Sequence, residues 1–368
     1  VDTALDLFLA LARLSTPPGE ERAAIDLCRD VLAELGIESD EDDAGPRING
    51  NAGNLYARIP GTVPGTPLFF NAHVDTVPPS APIDPVERDG FIFNANDTIL
   101  GADNKATVAG MIDGIRRVLR ENIPHAGIEL LITVQEEIGL LGAKEFDTDR
   151  LVAQVGFVYD VDGPPGRVVL RAPSQLSMNI TFRGKAAHAG IAPEDGRNAI
   201  HAAAKMLADL EMGRLGAGSS RNVGLINGGS QRNIVPDTCS LQLEMRSLDD
   251  AEVVKIAQET VAAANAAAAA TGCSVELAQT REYTAYGFAD DAPVVTLART
   301  ALLAAGCQPS MIETGGGADA HVFNERGLQC LNLSSGMEAI HSADEHIAVA
   351  DVEALSRITV ELIRAAVA

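Results

Sequence analysis

The sequence predicts an α/β protein, a mixed sheet with helices on both faces, into which a second domain of β-α-β-β-α-β order is inserted. Three observations point there. Residues 1–172 alternate apolar strand-like runs with helical patterns, the rhythm of a sheet covered on both sides. Residues 174–285 read strand, helix, two strands, helix, strand, which is the split βαβ unit. From about Tyr286 the alternation resumes, and a chain of 368 residues is longer than one core sustains. The expected domains are a discontinuous first one, 1–172 with 286–368, and an insert of 173–285.

Taken in order, VDTALDLFLALARL is apolar at helical spacing, carries Asp2 and Asp6 and lacks a basic stretch, so it reads as an amphipathic helix and not as a signal peptide. The runs NLYARI, PLFFNAH, GIELLITVQ and QVGFVYDV are expected strands, with a helix beginning near Lys105. In the insert, SMNITFRG, NVGLING, CSLQLEMRS and CSVELAQT are expected strands. One helix is expected from about Glu194 and another from Asp249 through an alanine-rich stretch that Gly272 stops.

Composition excludes several classes of function. Lys and Arg number 28 against 51 Asp and Glu, a net charge of −23, which opposes nucleic acid and anionic membranes as partners. No apolar run is long enough to span a bilayer. The five cysteines are an odd number without a CxxC pair, and read as reduced thiols of a cytoplasmic protein.

The chemistry lies in acids and histidines that follow apolar runs or glycine-bearing turns. His73 and Asp75 leave the strand PLFFNAH, where residues i and i+2 share a face; His73 would bind a metal and Asp75 would accept from its imidazole. Asp103, in LGADNK, stands where an ordinary N-cap is expected, yet a carboxylate has two oxygens and can bridge cations about 3.5–4 Å apart. Glu136 and Glu137 end a deeply apolar strand. Adjacent residues reach one site only if the chain turns there, one as ligand and the other as general base. Asp160 and Asp162 close QVGFVYDVDG, and either could complete the coordination of a metal on His73, with a turn-forming role the ordinary reading for Asp162. His341, in SSGMEAIHSADEHI, supplies the imidazole of a second position, which gives each metal one histidine, one private carboxylate and a share of Asp103.

HVDT, LGADNK, QEEIGLLGAK, YDVDG, KAAHAG, RNIVPD, EMRS and IHSADEHI occur in this order over residues 73–346. Together they resemble the zinc-dependent exopeptidase family that includes peptidase T, bacterial glutamate carboxypeptidase, aminoacylase and succinyl-diaminopimelate desuccinylase. AHAG and EEIGLLGAK are most similar to the peptidase T-like branch of tripeptide aminopeptidases. The resemblance implies a di-zinc catalytic domain with an inserted lid and dimerisation domain. It implies His73 and Asp160 on one Zn2+, Glu137 and His341 on the other, Asp103 bridging, Glu136 as base and Asp75 behind His73. Co2+ or Mn2+ are alternative metals. It further implies a small peptide substrate, a homodimer through the lid, and substrate contacts from His188, Arg246 and Asn233, with His188 serving the partner's site. A cis peptide bond after the bridging aspartate is implied too, here Asp103–Asn104. The chain departs from the branch at Asn104, where relatives carry a second aspartate. A carboxypeptidase or N-acyl amino-acid deacylase of the same family shares these ligands, and a non-catalytic binding protein that has kept the fold is the reading from another class.

Overall fold

A computed structural model describes residues 2–367. The chain forms two compact units, Val1–Leu170 with Gly287–Glu313 and Ala318–Ala368, and Arg171–Tyr286 with Thr314–Gly317.

The first unit is built on a nine-stranded mixed sheet. At its centre, Leu68–His73 pairs in parallel with Gly127–Thr133 on one side and with Val155–Val161 on the other, and Val155–Val161 pairs in parallel with Gln329–Ser334. Antiparallel strands flank this group, Leu55–Pro60 beside Gly127–Thr133 and Arg167–Ala172 beside Gln329–Ser334. Every residue of Leu68–His73 is buried, as expected of a central strand covered on both faces. Phe69 meets the edge of Phe323 from the helix Ala320–Glu325, while Phe70, pointing the other way, enters the main core, to which the long helix Ala102–Arg120 contributes Ala106 and Ala109. Parallel pairing aligns the carboxyl ends of these strands: His73 stands opposite Thr133, and Asn71 opposite Val158, which brings Asp160 level with His73. Crevices at such ends are where α/β sheets place their sites.

The second unit is a five-stranded antiparallel sheet with two helices, Ala199–Ala208 and Asp250–Thr271. Leu176, Met178, Ile180 and Phe182 alternate inward along Ser174–Arg183 and pack on those helices, so the period of two in SMNITFRG is the signal of a half-buried strand. The helix expected from Glu194 begins at Ala199, because Pro193–Asp195 forms a single 3₁₀ turn and Asn198 caps the helix through its side chain. A short strand, Gly213–Gly216, precedes Ser219–Gly228 and was not foreseen. Nor was a four-stranded sheet of Met337–Glu338, His346–Ala348, Phe91–Asn94 and Pro85–Arg88, whose segments are too short to show a period. All five cysteines are free. Among the described residues no helix is long and apolar enough to cross a membrane.

Candidate active site

His73 and Asp160 stand at or next to the ends of their strands, at the sheet's carboxyl edge. His73 is the last residue of its strand. The strand before Glu136 stops at Thr133, and Gln135 takes a left-handed conformation (φ 52°), so the chain turns and both Glu136 and Glu137 face the same cluster. Asp103 and Asn104 have non-helical backbone angles ahead of the regular helix, and the bond between them is cis.

The cluster is tight. Asp103 presents Oδ1 at 3.3 Å from His73 Nε2 and Oδ2 at 3.3 Å from His341 Nε2. His341 Nε2 also lies 3.2 Å from Glu137 Oε2, and His73 Nε2 lies 3.9 Å from both Glu136 Oε2 and Asp160 Oδ1. Asp75 sits behind. Its carboxylate accepts the backbone N–H of Glu136 and of Glu137, each at 3.0 Å, and approaches His73 Nδ1 to 3.3 Å. Asp162 is outside: its side chain is 60% exposed and lies 3.6 Å from Arg167, because the strand ends at Val161 and the alternation that would align it with Asp160 has lapsed.

Burial and crowding shift the titration of these groups. Burial, reinforced by Asp103, raises the carboxyls of Asp160 and Glu137, and burial holds Glu136 well above the usual glutamate range. Burial disfavours the charged form of His73, but Asp103 and Asp75 overcome it and raise the imidazole's pKa; hydrogen bonds to Asp103 and Glu137 raise that of His341 to about 10. Too few positive charges face too many carboxylates. Asp103 Oδ1 and Glu137 Oε1 are, moreover, buried without a hydrogen-bond partner. Three sets of ligand atoms lie within 4.8 Å of one another and could hold a metal ion: His73, Asp103 and Asp160; Asp103, Glu137 and His341; and His73, Glu136 and Glu137. This oxygen and imidazole donor set suits divalent cations, zinc among them.

In the second unit, His188 is exposed and lies in a bridge with Ile234. The Ala189 N–H donates to Asn233 O at 2.9 Å, which holds the segments of His188 and Asn233 side by side. Arg246 donates to Glu244 and to the Gly315 carbonyl, and its buried Nε has no partner.

The sequence reading missed a second layer of buried acids. Glu21, pushed up to about 7 by burial, accepts from the N–H of Gly19 and Gln135; Asp319, pushed up to about 6, accepts from Thr133 Oγ1 at 2.5 Å. Glu345 accepts three N–H groups of the turn that carries Asp103. Their only local signal is an acid two residues after a glycine, for Glu21 and Asp319, or four residues after a candidate ligand, for Glu345.

Comparison with known proteins places this geometry. Residues 173–272 match the family model M20_dimer, a peptidase dimerisation domain, and residues 54–189 match that of peptidase family M28. The uncharacterised protein YqjE of Bacillus subtilis is 34% identical over 363 residues, 98% of each chain. A crystal structure of the aminopeptidase PepT from Bacillus cereus superposes with a TM-score of 0.90 at 36% identity, covering 99% of this chain and 98% of the other. A tripeptidase from Staphylococcus aureus gives 0.93 at 31% identity, covering 98% and 97%. With likeness of this degree running from end to end, the chain belongs to the M20 family of peptidases, and PepT aminopeptidases and tripeptidases are among its structural neighbours.

Proposed function

We propose that the protein releases the N-terminal residue of tripeptides by hydrolysing a peptide bond at a site that holds two divalent cations, zinc in the first place and Co2+ or Mn2+ as alternatives. His73 and Asp160 would hold one, Glu137 and His341 the other, with Asp103 shared. The observation that carries the reading is the Asp103 carboxylate, one oxygen turned to each of two imidazoles. Bound there, such cations would supply a lowered pKa for water and polarisation of a carbonyl.

The protein's own groups do the rest. Glu136 takes a proton from the attacking water as the C–O bond forms and returns it to the leaving amine as the C–N bond breaks. Burial raises the Glu136 pKa, the direction that makes its carboxylate a better proton acceptor. Asp75 fixes the His73 ring and the backbone of Glu136 and Glu137. His188, Arg246 and Asn233 are proposed substrate contacts on family resemblance. The match of residues 173–272 to a dimerisation domain supports a homodimer through that unit.

Metal content and substrate polarity test the reading together. Elemental analysis should find two divalent cations per chain, and unblocked tripeptides should lose their N-terminal residue while acetylated ones are not turned over. Cleavage of N-acyl amino acids without tripeptide activity would move the protein to the deacylases of its family. A chain that binds no metal and turns over none of these substrates would be a binding protein.

A further inference from the structure

His341 is about half exposed and lies in the loop 339–345 that joins the paired strands Met337–Glu338 and His346–Ala348, with Ile340 packed against the main core. Of residues 338–346, Glu345 alone is buried, at 2% exposure. Its side chain crosses to the turn that carries Asp103. Oε2 accepts the N–H of Leu100 at 2.7 Å and of Gly101 at 2.8 Å, and Oε1 accepts the N–H of Asp103 at 2.9 Å. Three backbone donors on one buried carboxyl group make a clasp between segments more than 240 residues apart in sequence.

At its other end Glu345 closes the histidine loop. Its N–H donates to Ser342 O at 3.2 Å, Ser342 Oγ donates to Ala339 O at 2.7 Å, and Ala339 and His341 both take left-handed angles (φ 52° and 60°). His341 thus hangs from a compact turn in which Glu345 is the fully buried side chain and Ile340, partly buried, rests on the core. His73 has no such dependence. It ends a fully buried central strand and is held by Asp75.

We infer that Glu345 is the positioning residue that docks the His341 loop on the Asp103 turn, so that the cation position formed by Asp103, Glu137 and His341 depends on Glu345 more strongly than the position at His73 and Asp160, which meets the clasp only through the shared Asp103. The inference rests on the two-cation reading. A glutamine in its place keeps the shape but turns an NH₂ toward backbone N–H donors, and an aspartate keeps the charge but falls short of the turn.

The test is titration of metal-free full-length chains with Zn2+ for wild type, Glu345→Gln, Glu345→Asp and His341→Ala. Wild type should take up two ions. Both Glu345 variants should bind one ion within about threefold of wild type and the other tenfold to a hundredfold more weakly, the usual effect of groups that support a ligand. His341→Ala should follow the same pattern. Wild-type affinity for both ions in the Glu345 variants, or equal weakening of both, overturns the inference and leaves the two-cation reading standing. A wild type that takes up no Zn2+ removes both. Hydrogen exchange on wild type gives an answer that needs no variant: the Leu100, Gly101 and Asp103 amides should be protected with and without Zn2+, and fast exchange in the metal-free chain overturns the clasp.

Discussion

His73 Nδ1 donates to the backbone carbonyl of Asp75 at 3.0 Å, and this bond decides the chemistry of the ring. In the neutral ring this leaves the lone pair on Nε2, and it is Nε2 that faces Asp103, Glu136 and Asp160. Asp75 then uses its carboxylate on the backbone of Glu136 and Glu137, so one residue orients His73 and the turn after the neighbouring strand.

Asp75→Asn should therefore disturb more than one ligand. The amide keeps one acceptor but faces either the Glu136 or the Glu137 N–H with a donor. Zn2+ affinity or turnover should fall tenfold to a hundredfold, measured by chelator competition and by steady-state kinetics on a tripeptide. Unchanged values would show that the backbone carbonyl alone orients His73.

Glu136→Gln separates base from ligand, a choice that His73 Nε2, 3.9 Å from Glu136 Oε2, leaves open on distance alone. As a base, Glu136 is needed for proton transfer and not for metal. Both cations should remain on elemental analysis while kcat drops by about 10²–10⁴. Loss of a cation would make Glu136 a ligand and send the search for the base elsewhere.

Subunit exchange tests His188. If it serves the partner's site, mixing inactive His188→Ala chains with inactive Glu136→Ala chains should restore part of the activity, since a hybrid dimer holds one site with an intact Glu136 and a His188 from the other chain. Verified hybrids that stay inactive would place His188 in its own chain's chemistry or outside it.

Away from the site, Glu41 gives a stability test. It pairs with Arg22 and Arg29 and accepts the Gly53 N–H at 2.8 Å. Its pKa falls from 4.5 to about 2, chiefly through the hydrogen bond from Arg22. The folded chain thus binds this proton less readily than the unfolded one, so the contribution is complete above about pH 4.5 and is lost as pH falls toward 2. Glu41→Gln should lower stability at pH 7 by about 1 kcal/mol in urea unfolding. The difference from wild type should narrow steadily below pH 4.5.

What the sequence by itself determined follows from its short-range patterns. The strand runs, the split βαβ order of the insert and the Gly272 stop are written within a few residues of each other, because side-chain alternation and glycine's left-handed freedom act locally. The motif residues were legible for the same reason, since an acid or histidine just past an apolar strand marks a sheet's edge. Tertiary structure decided the rest. Where the strand stops, at Val161, left Asp160 facing His73 and Asp162 in solvent, and no propensity fixes a strand end to one residue. Nothing in the sequence marks Glu345, Glu21 and Asp319 as buried, because the groups they accept from belong to segments that only folding brings together: Asp103 lies 242 residues from Glu345, and Thr133 lies 186 from Asp319. A hydrogen bond of that span has no signature in either segment alone.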